Sequence, residues 1–358
     1  MTIANVSGTS ASSYPLQFGR PFVDGAVANA PQVLINGSAV TTQADVKNRY
    51  SDGSVEYAVI AVVIPSIPAG GSLTLTFQNQ TAPNNTPLTQ AQMLGSNYNF
   101  DAVLSVTGAG TGATAQTVSA RTMLANGDYK LWTSGPAAQT IMLGDDSAAA
   151  KYDIGFGDGY HPLRPRFYAT FWPATNQVTV RVVGENMLTT AVEDIAYKLS
   201  ISTGQTSPST VYSADLSGTQ ATHPKQHWTM TAWTQRFWLG GTPNPEVNID
   251  NNLAYLESTR FFPNYDTAIT VPESQIEQEY ALWTGLPHDI YDGAWDGGLW
   301  QSGMGTSGGR PEIAPYPQWS VMWMYTGDWR LRQMALGMAD LAPAFPGQLR
   351  EGNPAKRL

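Results

Sequence analysis

At 358 residues the chain is long enough for two or three domains and more than one core. Charged residues make up only 13%, against about 25% in an average globular protein; 34 glycines, 24 prolines and many Thr, Ser and Asn take their place, which favours strands and turns over helices. The net charge of -9, with no Lys/Arg cluster, argues against a nucleic-acid partner, whose phosphates need a basic patch, and the lack of cysteine excludes disulfides, thiolate zinc sites and a Cys nucleophile.

The N-terminal MTIANVSGTSASSYP has neither a basic n-region nor an apolar h-region, so no signal peptide is read there. No run approaches the roughly 18 apolar residues of a membrane span. Residues 31–37 (PQVLING) read as a short strand closed by an Asn-Gly turn, and residues 51–65 as a turn running into a strongly apolar strand. Residues 72–77 (SLTLTF) alternate as a strand with one buried face, and PAGG before them is a hairpin turn. Residues 79–87 (NQTAPNNTP) read as a linker.

From 88 to about 265 the pattern stays β. TGAGTGATAQTVSA (residues 107–120) reads as a loop or an irregular edge strand. Residues 129–133 and 139–143 pair across SGPAA, and residues 166–172 and 177–183, joined by PATN, form the clearest hairpin. Residues 196–203 and 229–238 add strands, which makes a β-sandwich the expected architecture. Near residue 270 the period changes to helical. PESQIEQEYALW (residues 272–283) opens with proline and acidic residues and sets Ile276, Tyr280 and Trp283 on one face. Residues 317–325 and 328–341 form a closing helical hairpin, with Asp328 as N-cap and Pro343 and Pro346 ending it.

The expected organisation is therefore mainly β: a small β domain over 1–82, a β-sandwich over 83–268 and a helical segment over 269–358. Nine of the 11 tryptophans lie after residue 227, and most read as core joining sheet to helix. Trp228, Trp295 and Trp300 lie among Gly, Asp and His, and are candidate stacking platforms.

Two stretches near the N-terminus carry a resemblance. FGRPFVDGAV (residues 18–27) and NGSAVTTQADVKNRYSDGSVEYAVI (residues 36–60) contain G-x-P, a strand ending in a turn, a Gln and an aromatic-x-DGS before a long strand. They resemble the N-terminal RIFT-barrel domain of YetA-like, exo-rhamnogalacturonan-lyase-related proteins, with Tyr50 where the pattern has Trp. FWPATNQVTVRVVGEN, WTQRFWLGG and GGRPEIAPYPQW are similar to the central β-sandwich and the start of the α/α-toroid of the same architecture, especially in its phage and prophage versions. A full toroid holds many more helices than the three read here. The resemblance implies a small RIFT-type barrel, a β-sandwich and a partial toroid, with a polysaccharide as partner. The expected place is outside the cell or on a virion; a protein with no leader could leave by lysis, as a phage particle does, and recombinant removal of a leader would look the same.

Polysaccharide β-elimination needs a cation to neutralise the uronate carboxylate and a base for the adjacent C–H proton. Arg310, Arg236, Arg164 and Arg166 suit the first role, because the guanidinium fork matches a carboxylate. His161, His227, His288, Tyr291 and Tyr316 suit the second. Each arginine equally suits anchoring a loop to a carboxylate. Glycoside hydrolysis needs two carboxyl groups, for which Asp289, Asp292, Asp296 and Glu312 form the one acidic cluster in an aromatic, Gly-rich setting. The candidate residues are Arg310, Arg236, His227, Tyr291 and Glu312 for chemistry, and Trp228, Trp295, Trp300, His161, Arg164 and Asp296 for substrate. No metal site and no cofactor are expected. The Asp spacing in DIYDGAWDGG gives only a weak Ca²⁺ signal, and Pro224 interrupts the pair His223 and His227. The readings that remain are a lyase-like enzyme, a virion or tail protein that assembles as a homo-oligomer, and a stand-alone carbohydrate-binding module.

Overall fold

The computed structural model describes residues 1–108, 114–145, 151–154, 163–186, 197–216, 232–241, 246–285, 298–299, 311–312 and 315–341. Its chain is mainly β, in antiparallel sheets, as the composition predicts.

Seven strands come first: β1 (Thr2–Asn5), β2 (Ala11–Pro21), β3 (Ala30–Ile35), β4 (Ser38–Ala39), β5 (Gln43–Arg49), β6 (Val55–Ile67) and β7 (Ser72–Gln80). Nine follow: β8 (Ala102–Gly108), β9 (Gln116–Ser119), β10 (Tyr129–Thr133), β11 (Gln139–Leu143), β12 (Leu163–Trp172), β13 (Gln177–Asn186), β14 (Tyr197–Thr203), β15 (Ser209–Leu216) and β16 (Ala232–Leu239). The last is β17 (Val247–Asp250). The helices are α1 (Gln90–Met93), α2 (Ala120–Asn126), α3 (Leu253–Ser258), α4 (Glu273–Gly285), α5 (Gln318–Thr326) and α6 (Trp329–Leu341).

The N-terminal unit has two sheets, ordered β17-β1-β7-β3-β4 and β2-β6-β5. They close on one core that includes Ile3, Phe22, Val33, Ile60, Ile64 and Leu75. The predicted Asn-Gly turn stands between β3 and β4, with φ +48 at Asn36 and +85 at Gly37, the left-handed backbone that this pair tolerates best. β6 begins only at Val55, because Tyr50–Ser54 close a turn through Tyr50 N–H on Ser54 O (2.9 Å). The predicted linker is clamped on the side of the N-terminal unit: Asn85 Oδ1 accepts from Ala44 N (3.1 Å) and Asn85 Nδ2 donates to Ala44 O (2.9 Å). One asparagine side chain thus stands in for a missing ladder partner of β5.

The second unit is a sandwich of the sheets β10-β11-β12-β13-β16 and β15-β14-β8-β9. Leu104 and Ile201 from one sheet, with Phe100 just before β8, meet Phe167, Phe171 and Val180 from the other. The hairpin read as clearest is β12–β13, paired through ten residues from Leu163↔Asn186 to Trp172↔Gln177.

The strand at Val247–Asp250 falls inside the span assigned from sequence to the sandwich, yet it pairs with β1 (Ile3↔Ile249) and buries Val247 and Ile249 in the N-terminal core. The chain therefore returns to its first unit before it enters the helices. Trp283, Trp319, Met334 and Met338 form the core of the helical layer, so these tryptophans take the packing role read for most of them. Asp328 caps α6 as expected, accepting from Arg330 N (2.8 Å). Gly327 seats the helices on the first unit. It ends α5 at φ +64, and its carbonyl accepts from Ile249 N (2.7 Å). A Cβ there would stand 2.6 Å from Ile249 O. Gly327→Ala combines left-handed strain with a backbone clash, and is expected to cost at least about 2 kcal/mol in urea unfolding. A midpoint within error of wild type would show that α5 does not need this seat.

Candidate functional site

The outer face of the β10-β11-β12-β13-β16 sheet carries the densest set of predicted site residues among the described ones. On β12, Phe167, Ala169 and Phe171 point into the sandwich core, so Arg164, Arg166, Tyr168, Thr170 and Trp172 point outward. On β13, Val178, Val180 and Val182 point inward and Thr179 and Arg181 outward. Register sets Arg181 directly between Tyr168 on β12 and Arg236 on β16.

Two guanidinium groups directly opposite on one face repel. Asp340 of α6 resolves this. Arg236 Nη2 stands 2.9 Å from Asp340 Oδ2 and donates to Oδ1 at 3.1 Å. Arg181 Nε is 3.4 Å from Asp340 Oδ1, an ion-pair distance without hydrogen-bond geometry. The Arg181 guanidinium also lies 5.2 Å from the Tyr168 ring centroid. One carboxylate thus receives two arginines, and the last helix is docked on the sheet.

At its other end the face meets the N-terminal unit. Trp172 and Trp238 stack at 6.5 Å and 24°, with Trp172 Nε1 donating to Thr179 Oγ1 (3.3 Å), and both pack with Ala61 of β6. Between these covers lie Arg166, Tyr168, Thr170 and Arg181, all half-buried. Arg166 runs past Gly144, where a Cβ would stand 3.4 Å from its Cγ.

Of the predicted set, Arg164 and Arg236 lie on this face, each with a carboxylate partner. Arg164 is bidentate to Asp153 (Nε–Oδ1 3.0 Å, Nη2–Oδ2 3.2 Å), the anchoring arrangement. Arg236 anchors α6 while its side chain stays 40% exposed. Glu312 lies beside Pro311, whose carbonyl accepts from Gln318 N (2.7 Å) at the start of α5. Tyr316, read as a base, donates its hydroxyl to Phe261 O (2.8 Å) and stacks on Phe262 (5.1 Å), a packing role. Arg310, His227, Tyr291, Trp228, Trp295, Trp300, His161 and Asp296 lie outside the described residues, as do His223, His288, Asp289 and Asp292. Among the described residues no cluster of His, Asp and Glu could hold a metal ion. Sequence reasoning missed Arg181, Tyr168 and Asp340. The signal was there for Arg181, which alternates with Val178, Val180 and Val182 on a strand already read.

The motif residues of the N-terminal resemblance hold architecture. Arg20 is buried between the rings of Phe77 and Tyr255, 4.3 Å from each centroid, and burial lowers its pKa. Tyr50 donates to Phe22 O (2.8 Å), and Ser54 Oγ accepts from Gly25 N (3.0 Å). The Ser54 hydroxyl, together with its backbone N–H (2.8 Å to Asp52 Oδ1), holds the Asp52 carboxyl below the usual range. Gln43 bonds to the Ala137–Ala138 turn of the sandwich and fixes the two units together.

No family model matches the sequence, and no curated protein matches it. Among solved structures, a protein in glycosyl hydrolase family 38 from Enterococcus faecalis is similar at a TM-score of 0.33 and 11% identity, over 56% of this chain and 32% of that one. An alpha-mannosidase from Enterococcus faecalis V583 is similar at a TM-score of 0.31 and 11% identity, over 56% of this chain and 30% of that one. The chain spans about a third of the length of these neighbours, and likeness at this level carries no argument about activity.

Proposed function

We propose that the protein binds or processes an acidic polysaccharide on the outer face of the β10–β16 sheet, outside the cell or on a virion. The observation that carries this reading is the convergence of Arg181 and Arg236 on one carboxylate, beside the ring of Tyr168. A uronate presents the same planar anion next to an apolar ring face, which an arginine fork and an aromatic ring suit. In a lyase the same pair would neutralise the sugar acid, so that the proton next to it leaves more readily to a base.

Affinity electrophoresis through polygalacturonate, alginate and hyaluronate, with dextran as neutral control, tests the reading. Wild type is expected to be retarded in at least one acidic gel. Arg181→Met with Arg236→Met is expected to lose at least about tenfold in affinity, or about 1.4 kcal/mol. Absorbance of an unsaturated product in the same mixtures separates a lyase from a binding module. No retardation in any acidic gel would sink the proposal.

A second reading, assembly into a virion or tail, draws on Ile269, Leu282 and Leu336, large apolar side chains exposed on and beside the helical layer. It expects a homo-oligomer in light scattering and a monomer after Leu282→Glu with Leu336→Glu.

A further inference from the structure

The edge of the sandwich far from Arg236 carries a second feature that the reading above does not use. β10 is an edge strand, and its register with β11 shifts between Leu131 and Thr133: Leu131 pairs with Ile141 and Thr133 with Thr140. Trp132 is the extra residue of this irregularity. Bulges re-aim a side chain away from the regular ladder. Here the indole stays 50% exposed, next to Leu131 at 47%.

Lys47 of β5 crosses from the N-terminal unit to meet it. Its ammonium lies 4.4 Å from the Trp132 ring centroid and donates to the Trp132 carbonyl. Among the described residues no carboxylate stands within ion-pair range of Lys47. The nearest acid along its own strand, Asp45, is occupied by Gln43 Nε2 (3.0 Å) and Ser134 N (2.9 Å). The result is a half-exposed indole with a cation on one side, in a chain of net charge -9. The two units that supply it are joined close to the pair, because Gln43 and Asp45 bind the sandwich turn within four residues of Lys47.

We propose that Trp132 and Lys47 form a stacking subsite for one acidic pyranose residue of a polysaccharide. The apolar face of the sugar ring packs on the exposed part of the indole, and Lys47, over the other face of the ring, draws the carboxylate to the indole's edge. Charge complementarity selects this occupant. An uncompensated ammonium beside an exposed ring favours an anionic partner, and a neutral apolar partner would have to cover that charge. The subsite rests on the acidic-glycan reading given above, and extends it to the far edge of the same sheet.

The test uses the full chain in the same gels. Trp132→Ala is expected to lose at least tenfold in affinity for the retarding acidic polysaccharide, while Trp132→Phe keeps most of it. Lys47→Met is expected to weaken binding in acidic gels and leave any dextran retardation alone. Thermal unfolding of Trp132→Ala should match wild type, since the ring is half in solvent. If Trp132→Ala binds as wild type while the Arg181/Arg236 variant does not, the subsite is overturned and the arginine face stands. If Trp132→Ala and Trp132→Phe lose affinity equally, ring stacking is overturned. If only dextran retards the protein, the acidic assignment falls. If nothing retards wild type, both proposals fall together.

Discussion

Gln43→Met is expected to lower the free energy of unfolding by about 3–5 kcal/mol, and to separate the unfolding of the N-terminal unit from that of the sandwich. Gln43 is fully buried. Its Oε1 accepts from Ala137 N (3.2 Å) and Ala138 N (3.0 Å), and its Nε2 donates to Ala138 O (2.6 Å) and Asp45 Oδ2 (3.0 Å). Methionine fills a similar volume, so the expected loss comes from polar groups and not from a cavity. Two N–H groups, a carbonyl and a carboxylate oxygen lose a partner where water does not reach. Each orphaned buried group costs about 1–3 kcal/mol, and some relaxation keeps the sum below the total. Gln17→Met is the contrast. Gln17 reaches across the same joint, but only through one long bond to Thr133 Oγ1 (3.4 Å) in a half-buried setting, so it should change stability by no more than about 1 kcal/mol. Urea unfolding followed by both tryptophan fluorescence and far-UV circular dichroism makes the comparison. A single coincident transition with a Gln43 effect below about 1 kcal/mol would show that the Gln43 bonds do not hold the units together.

The legible part of this chain was what local chemistry decides. β12 and β13 alternate apolar and polar residues around PATN, so their hairpin could be read. Asn36-Gly37 demanded a left-handed turn, and Asp328 demanded a helix start. What could not be read depends on distant partners. β17 is four residues long, and only its pairing with β1, some 245 residues away in sequence, makes it a strand. β2 holds eleven residues with two serines, two prolines and a glycine, a poor strand until β6 supplies its ladder. The candidate site divides in the same way. Arg164 and Arg236 were named as residue types able to hold an acid, but their protein partners, Asp153 and Asp340, stand on other elements. Arg181 escaped notice because a valine-rich strand reads as core on both faces, although its alternate positions face out. Gln43 stands in a sequence motif, but its role as a joint depends on the sandwich turn placed against it. Trp132 was passed over because tryptophans crowd the other end of the chain, and the bulge that turns it outward leaves no mark in composition.

Asp153→Ala carries the other large expected effect. Arg164 and Asp153 are 4% and 10% exposed, and two hydrogen bonds join them. Removing the carboxylate leaves a guanidinium in a site with little water, which is expected to destabilise the protein by about 3–5 kcal/mol. Arg164→Met with Asp153→Leu should restore part of this loss, since replacing a whole buried pair by apolar groups is far milder than stranding one charge. Lys198 and Asp215 form the exposed counterpart (2.9 Å, both side chains more than half exposed), and Asp215→Ala should cost no more than about 1 kcal/mol. The series also decides what Arg164 does. If it is an anchor, the stable double variant retains the glycan affinity of wild type. If it is a substrate ligand, the double variant folds and loses affinity as Arg181→Met with Arg236→Met does. The bidentate geometry and deep burial favour the first outcome, because a group with its fork already filled by Asp153 and almost no exposed surface has little left to offer a polymer in solution. Acid recognition would then fall to the half-exposed arginines nearer α6, where one carboxylate already marks the place.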